Sequence, residues 1–132
     1  MTYQFEKDPD GGIILVTVLL EGKHTLKMVL DTAASRTTID ATALYMIGYT
    51  INNALETSTV ETANGIVEVS ILEVDSLTAL GHTVHQIPIQ VYDFLAHGIL
   101  SDYDGLLGLD FFENTVLCID MKNNTINIID KI

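Results

Sequence analysis

The stretch Met28-Val29-Leu30-Asp31-Thr32-Ala33-Ala34-Ser35-Arg36-Thr37-Thr38-Ile39-Asp40 decides how this chain is read. Three apolar residues run into an acid, four small residues follow it, and then comes a β-branched run. A carboxylate carried on an apolar strand is costly to bury unless it is paired or hydrogen-bonded. Something in the folded protein must therefore stabilise Asp31.

Outward from this stretch the pattern is β-rich. Ile13 to Leu20 is a strong β run, Glu21-Gly22-Lys23 turns the chain, and His24 to Leu30 returns, so a hairpin delivers Asp31. Before it, Asp8-Pro9-Asp10-Gly11-Gly12 reads as a turn. After it, Thr37 to Asp40 reads as a short strand, and Ala41 to Met46 as a helical turn or two with Asp40 as N-cap and Gly48 as its end. Thr57 to Thr62 and Ile66 to Val74 flank Ala63-Asn64-Gly65, and Asn-Gly between β-rich arms is a strong hairpin signal.

Leu80-Gly81-His82 reads as a turn, and Thr83 to Tyr92 as a strand that Pro88 marks as an edge or a bulge. Ala96 to Tyr103 reads as a loop, Asp104 to Leu109 as a glycine-bracketed apolar segment, and Asp110 to Asn114 as a short helix. Val116 to Met121 and Thr125 to Ile129 form a last hairpin around Lys122-Asn123-Asn124. Short strands, frequent turns and little helix point to a closed or sandwiched all-β domain.

The chain has 132 residues, 48% of them hydrophobic, which suits one core, and residues 1–132 are expected to form a single domain. Its one cysteine, Cys118, excludes an internal disulfide and fits a reducing compartment; the neighbours Leu117 and Ile119 predict a core thiol. Met1 to Lys7 lacks the basic start and apolar run of a signal peptide, and no stretch approaches the ~18 apolar residues of a membrane span. The expectation is a soluble, cytoplasmic protein. A formal net charge of −12 argues against nucleic acid and anionic membranes as partners.

The four histidines, His24, His82, His85 and His97, are scattered, and the spacing of His82 and His85 suits a helix face rather than a strand. Gly105 to Gly108 lacks the lysine and hydroxyl residue of a phosphate loop. No metal and no cofactor is expected.

Leu30-Asp31-Thr32-Ala33-Ala34-Ser35 resembles the aspartic protease signature, apolar-Asp-Thr/Ser-Gly-Ala-Ser. Leu106-Leu107-Gly108 resembles the second signature of that superfamily, two apolar residues and a glycine. Taken with the order of the intervening elements, the chain resembles the retropepsin-like, single-lobe aspartic proteases over nearly its whole length. The resemblance implies a closed barrel of the acid-protease type, with one short helix near the C-terminus and a flap hairpin at Ala63, Asn64, Gly65 and Ile66. It implies Asp31 as the catalytic acid, supported by Thr32, Ala33, Ala34 and Ser35, with Leu106, Leu107 and Gly108 closing a loop beneath it. Thr32 is then expected to hydrogen-bond across a dimer and Ser35 to hydrogen-bond a catalytic carboxylate. Leu30, Ala33, Ala34 and residues near Leu106 are expected to line or support subsites for an extended peptide substrate.

The family chemistry needs two carboxylates, and this chain holds one signature. Val74-Asp75-Ser76-Leu77 begins correctly but has leucine where a small residue is needed, and Ile119-Asp120-Met121-Lys122 fails at once. The implied active form is a homodimer with Asp31 from each subunit on the two-fold axis. Met1 to Phe5 and Thr125 to Ile132 are candidates for the dimer sheet, because exposed edges there are a liability.

Three departures from the family pattern stand out. Ala33 replaces the usual glycine, which is tolerated when its φ is negative and nothing packs against its α-carbon. Ser35 and Leu109 stand where viral members often carry an acid and an arginine, so the pattern is closer to cellular or bacterial relatives. Arg36 reads as a surface residue or as one facing a dimer interface. The competing readings are an inactive dimeric binding or assembly module that keeps the protease fold, and a protease domain of a longer membrane or processing protein.

Overall fold

The structure, a computed structural model, describes residues 2–7, 9, 12–49, 56–63, 65–99 and 102–130. In chain order the strands are β1 (Thr2–Gln4), β2 (Glu6–Lys7), β3 (Ile14–Leu20), β4 (His24–Leu30) and β5 (Thr38–Asp40). Helix α1 (Ala41–Met46) follows, and then β6 (Glu56–Thr62), β7 (Gly65–Ala79), β8 (His82–Tyr92), β9 (Gly105–Leu107), β10 (Thr115–Asp120) and β11 (Thr125–Asp130). A 3-10 turn, Leu109–Phe112, lies where a short helix over Asp110 to Asn114 was expected, and Asn114 leaves it at φ +62°.

The β3–β4 hairpin forms as its sequence dictates, with Val16, Val18 and Leu20 buried on one face and Leu15 opposite Val29. The next pairing is not local. β4 runs parallel to β9, Met28 against Gly105 and Leu30 against Leu107. β9 pairs antiparallel with β5, β5 parallel with β8, and β8 antiparallel with β7. β7 then returns to β3 at Leu77–Leu20 and Thr78–Leu19. Among the described residues six strands thus close a ring, which removes the open edges a flat sheet would expose. Leu20, Met28, Ile39, Leu77, Ile89, Leu107 and Phe111 are fully buried inside it.

β8 runs unbroken through Pro88. The amide of Gln90 donates to the carbonyl of Thr37, and the pairing with β5 begins at that residue. Pro88 lies two residues earlier on the same edge, beyond the reach of β5, so its missing N–H leaves no bond unmade. Asp40 stands at the N-cap of α1, but its side chain caps nothing there; Oδ1 instead accepts from the Phe94 amide at 3.0 Å.

Outside the barrel, β1, β11 and β10 form a second sheet in that order. The expectation for Cys118 is corrected here. β10 alternates, with Leu117 and Ile119 half-buried and Val116, Cys118 and Asp120 exposed. Apolar neighbours in a strand face the opposite way from the residue between them. Thr125–Asp130 is not an edge within the protomer either, because β1 and β10 flank it; those two strands are the edges of this sheet. Met1, Lys131 and Ile132, and Asp8, Asp10 and Gly11 of the expected first turn, lie outside the described residues.

Candidate active site

β4 ends at Leu30 and hands the chain to Asp31, whose amide donates to the Leu107 carbonyl at 3.0 Å. The parallel β4–β9 pairing is thereby extended to the acid itself. The chain then turns at once: Ala34 N donates to the Asp31 carbonyl at 3.2 Å, and Ala33 N donates to Asp31 Oδ1 at 3.0 Å. This Asx turn uses the local side-chain-to-backbone bonding to which aspartate is suited, and it orients the carboxylate. Asp31 is half-buried, while Thr32, Ala33, Ser35 and Arg36 are exposed and Ala34 is half-buried.

Ala33 lies outside the positive-φ region and is exposed, so its backbone conformation does not call for glycine. Among the described residues the donor on the Asp31 carboxylate is Ala33 N and not the hydroxyl of Ser35. Ser35 contributes its carbonyl instead, accepting from Asp110 N at 3.3 Å.

The second loop clasps the first backbone to backbone. Leu109 N donates to the Ala34 carbonyl at 2.8 Å. A β-carbon on Gly108 would stand 2.6 Å from the Arg36 carbonyl carbon and 2.7 Å from its oxygen, so only glycine fits. One on Gly105 would collide with the Thr38 carbonyl oxygen. Leu107 is fully buried and Leu106 half-buried.

Two residues that the sequence reading left without a role lock this clasp. Thr37 is fully buried. Its amide donates to Asp110 Oδ1 at 2.9 Å and Oδ2 at 3.0 Å, and its hydroxyl donates to Oδ1 at 2.7 Å. The same hydroxyl accepts from Gly108 N at 3.1 Å. One sequence signal pointed here: an acid two residues after the glycine of the second signature, followed by two aromatic residues.

The hairpin read at Ala63 to Ile66 forms between β6 and β7, with Thr62 opposite Gly65. Gly65 to Val69 pair with β6 alone, so this end projects beyond the closed ring. Ala63 and Gly65 are exposed and Ile66 is 75% exposed; Asn64 lies outside the described residues. His82 and His85 are three residues apart on β8 and therefore face opposite ways; the ring of His82 meets Phe111 edge-on at 5.2 Å. Among the described residues no three histidine, cysteine, aspartate or glutamate side chains converge as metal ligands.

A family profile described as aspartyl protease matches residues 16–111, from within β3 to the 3-10 turn, and so includes both loops. The chain belongs to the aspartyl protease family. The fold of this aspartyl protease is also that of a solved structure, a retropepsin-like aspartic protease from Rickettsia conorii. The TM-score is 0.70 at 20% identity, covering 99% of this chain and 91% of that one. At such identity the likeness concerns the fold, which is retropepsin-like. No curated protein matches the sequence. Among the described residues of this aspartyl protease, no helix is long and apolar enough to cross a membrane.

Proposed function

We propose that the chain is an aspartic endopeptidase that acts as a homodimer, with Asp31 of each subunit forming one catalytic pair. The observation that carries this reading is the tethering of Asp31. Its amide is fixed to Leu107 and its carboxylate to Ala33 N, in a turn whose Thr32, Ala33, Ser35 and Arg36 are exposed.

Two carboxylates about 3 Å apart cannot both ionise, so the pair shares one proton and its apparent pKa values belong to both. The ionised member takes a proton from a water, whose oxygen adds to the scissile carbonyl carbon. The protonated member hydrogen-bonds the carbonyl oxygen. A proton then passes to the amide nitrogen, the C–N bond breaks, and an acid and an amine leave.

In this reading residues 1–132 act as one cytoplasmic domain. Thr32 hydrogen-bonds across the dimer, and Ala34 and Ser35 support the loop. Leu106, Leu107 and Gly108 brace Asp31 from below. Ala63, Asn64, Gly65 and Ile66 close over an extended peptide. The backbone and exposure of Ala33 favour activity over the inactive binding-module reading.

The test is cleavage of a diverse peptide mixture between about pH 4 and 7, where a carboxylate pair holds one proton. Wild type is expected to cut, to be blocked by a statine-type inhibitor, and to sediment as a dimer. Asp31→Asn is expected to lose at least about 10³-fold in rate. A folded dimer that cuts nothing would return the binding-module reading, and cleavage by a monomer would overturn the shared pair.

A further inference from the structure

We propose that the groove between α1 and residues 94–99 and 102–104 is a docking site for a protein substrate, taking a short stretch with apolar side chains flanked by lysine or arginine. The cavity is about 480 Å³, within the roughly 300–1,000 Å³ of ligand-binding clefts. Met46, Leu95 and Ile99 line it and are 77%, 66% and 38% exposed. Three large apolar side chains gathered on one groove differ from the scattered ones of an ordinary surface.

The charges on this groove are of one sign. Asp40, Asp102 and Asp104 line it, with no lysine, arginine or histidine among the lining residues. Two of these carboxylates are fixed in place: Asp40 accepts from the Phe94 amide, and Asp104 accepts from the Lys27 amide at 2.9 Å. Preorganised anions beside exposed apolar surface select a cationic, apolar partner.

Among its described residues, a second copy of this chain offers no apolar stretch flanked on both sides by lysine or arginine. The chain carries 18 acids against six lysines and arginine. Its described basic residues, Lys7, Lys23, Lys27, Arg36 and Lys122, sit on separate strands and turns; the apolar neighbours of Lys27, Leu26 and Met28, are buried, and Lys122 adjoins a single exposed apolar side chain, Met121, with no second basic residue on its other side. Nucleic acid and anionic lipid are repelled.

Leu26 also lines the groove, five residues before Asp31 on β4, which puts the site about 16 Å from the acid along the strand. A substrate held there is anchored away from the bond to be cut. That role rests on the protease reading; the docking itself does not.

The experiment uses the full-length Asp31→Asn protein and a short fluorescein-labelled peptide with a Leu-Leu pair flanked on each side by two lysines. Its counterpart carries glutamates in place of the lysines. The lysine peptide is expected to bind and to shift the amide resonances of Thr42, Met46, Leu95 and Asp102. The paired substitution Met46→Ser with Asp102→Lys is expected to weaken it at least about tenfold. Glu73→Lys, an equal charge change on the exposed face of β7, is expected to weaken it far less. Equal weakening by Glu73→Lys, equal binding of the glutamate peptide, or shifts centred on Thr32 to Ser35 would overturn the proposal. Cleavage of peptides too short to reach the groove is read separately in wild type, so a failed docking site and a failed protease give different results.

Discussion

Asp110 receives three hydrogen bonds from Thr37, two from its amide and one from its hydroxyl, at 2.7 to 3.0 Å. Thr37 is fully buried, so these donors have no water to fall back on. Asp110→Ala should destabilise the protein by about 2–4 kcal/mol, the cost of leaving two buried donors unsatisfied. Asp110→Asn keeps one acceptor oxygen and should lose roughly half as much. Urea unfolding of both variants checks the order; an alanine variant as stable as the asparagine one would mean the network carries little.

Gly105 and Gly108 are required by close backbone approach. In both cases the nearest atoms a methyl would meet belong to the main chain, of Thr38 and of Arg36, and cannot swing aside. Gly105→Ala and Gly108→Ala should each cost at least about 2 kcal/mol, read as a lowered denaturation midpoint. Gly108→Ala should also move the loop that Leu109 N ties to Ala34, and so reduce cleavage more than its stability loss accounts for.

Ala33 offers the opposite case. Glycine there relieves no strain, because the backbone is already one that alanine adopts. Ala33→Gly should therefore lose about 0.5–1 kcal/mol through a freer unfolded chain. It should leave kcat/KM within about threefold of wild type. A large gain in rate would mean that the methyl obstructs the cleft.

Asp120 gives the last hairpin a pH dependence. Its carboxylate accepts from the Asn123 side chain at 2.8 Å and from the amides of Asn123 and Lys122 at 3.0 Å. These bonds, that of the Asn123 side chain foremost, hold its pKa below the usual carboxylate value. The unfolded chain thus takes up this proton at a higher pH than the folded one. The contribution is complete above about pH 4 and is lost as the pH falls below that. Asp120→Ala should melt lower than wild type at neutral pH, with the gap closing towards pH 3.

The parts legible in the sequence are those whose signals are local. The β3–β4 hairpin, the turn after Asp31 and the β6–β7 arms each carry their pattern within a few residues. Cys118 was misread because its apolar neighbours suggested a core, whereas strand geometry sends alternate residues to opposite faces. β7 reaches Ala79 rather than Val74: Asp75 and Ser76 look like a break, but pairing to both β8 and β3 carries the strand past them. Thr37 and Asp110 are 73 residues apart, and nothing near either one announces the other. Their meeting follows from the parallel β4–β9 pairing, which the sequence does not state.

That pairing also sets a clock. Asp31 is anchored to a carbonyl that belongs to Leu107, and the loop beneath it closes only at Gly108 and Asp110. A ribosome that has released the first hundred residues has delivered the acid and its own turn, but neither the Leu107 carbonyl nor the loop that braces them. The loop that braces Asp31 is therefore completed only once the chain has been made through Asp110, long after the acid itself.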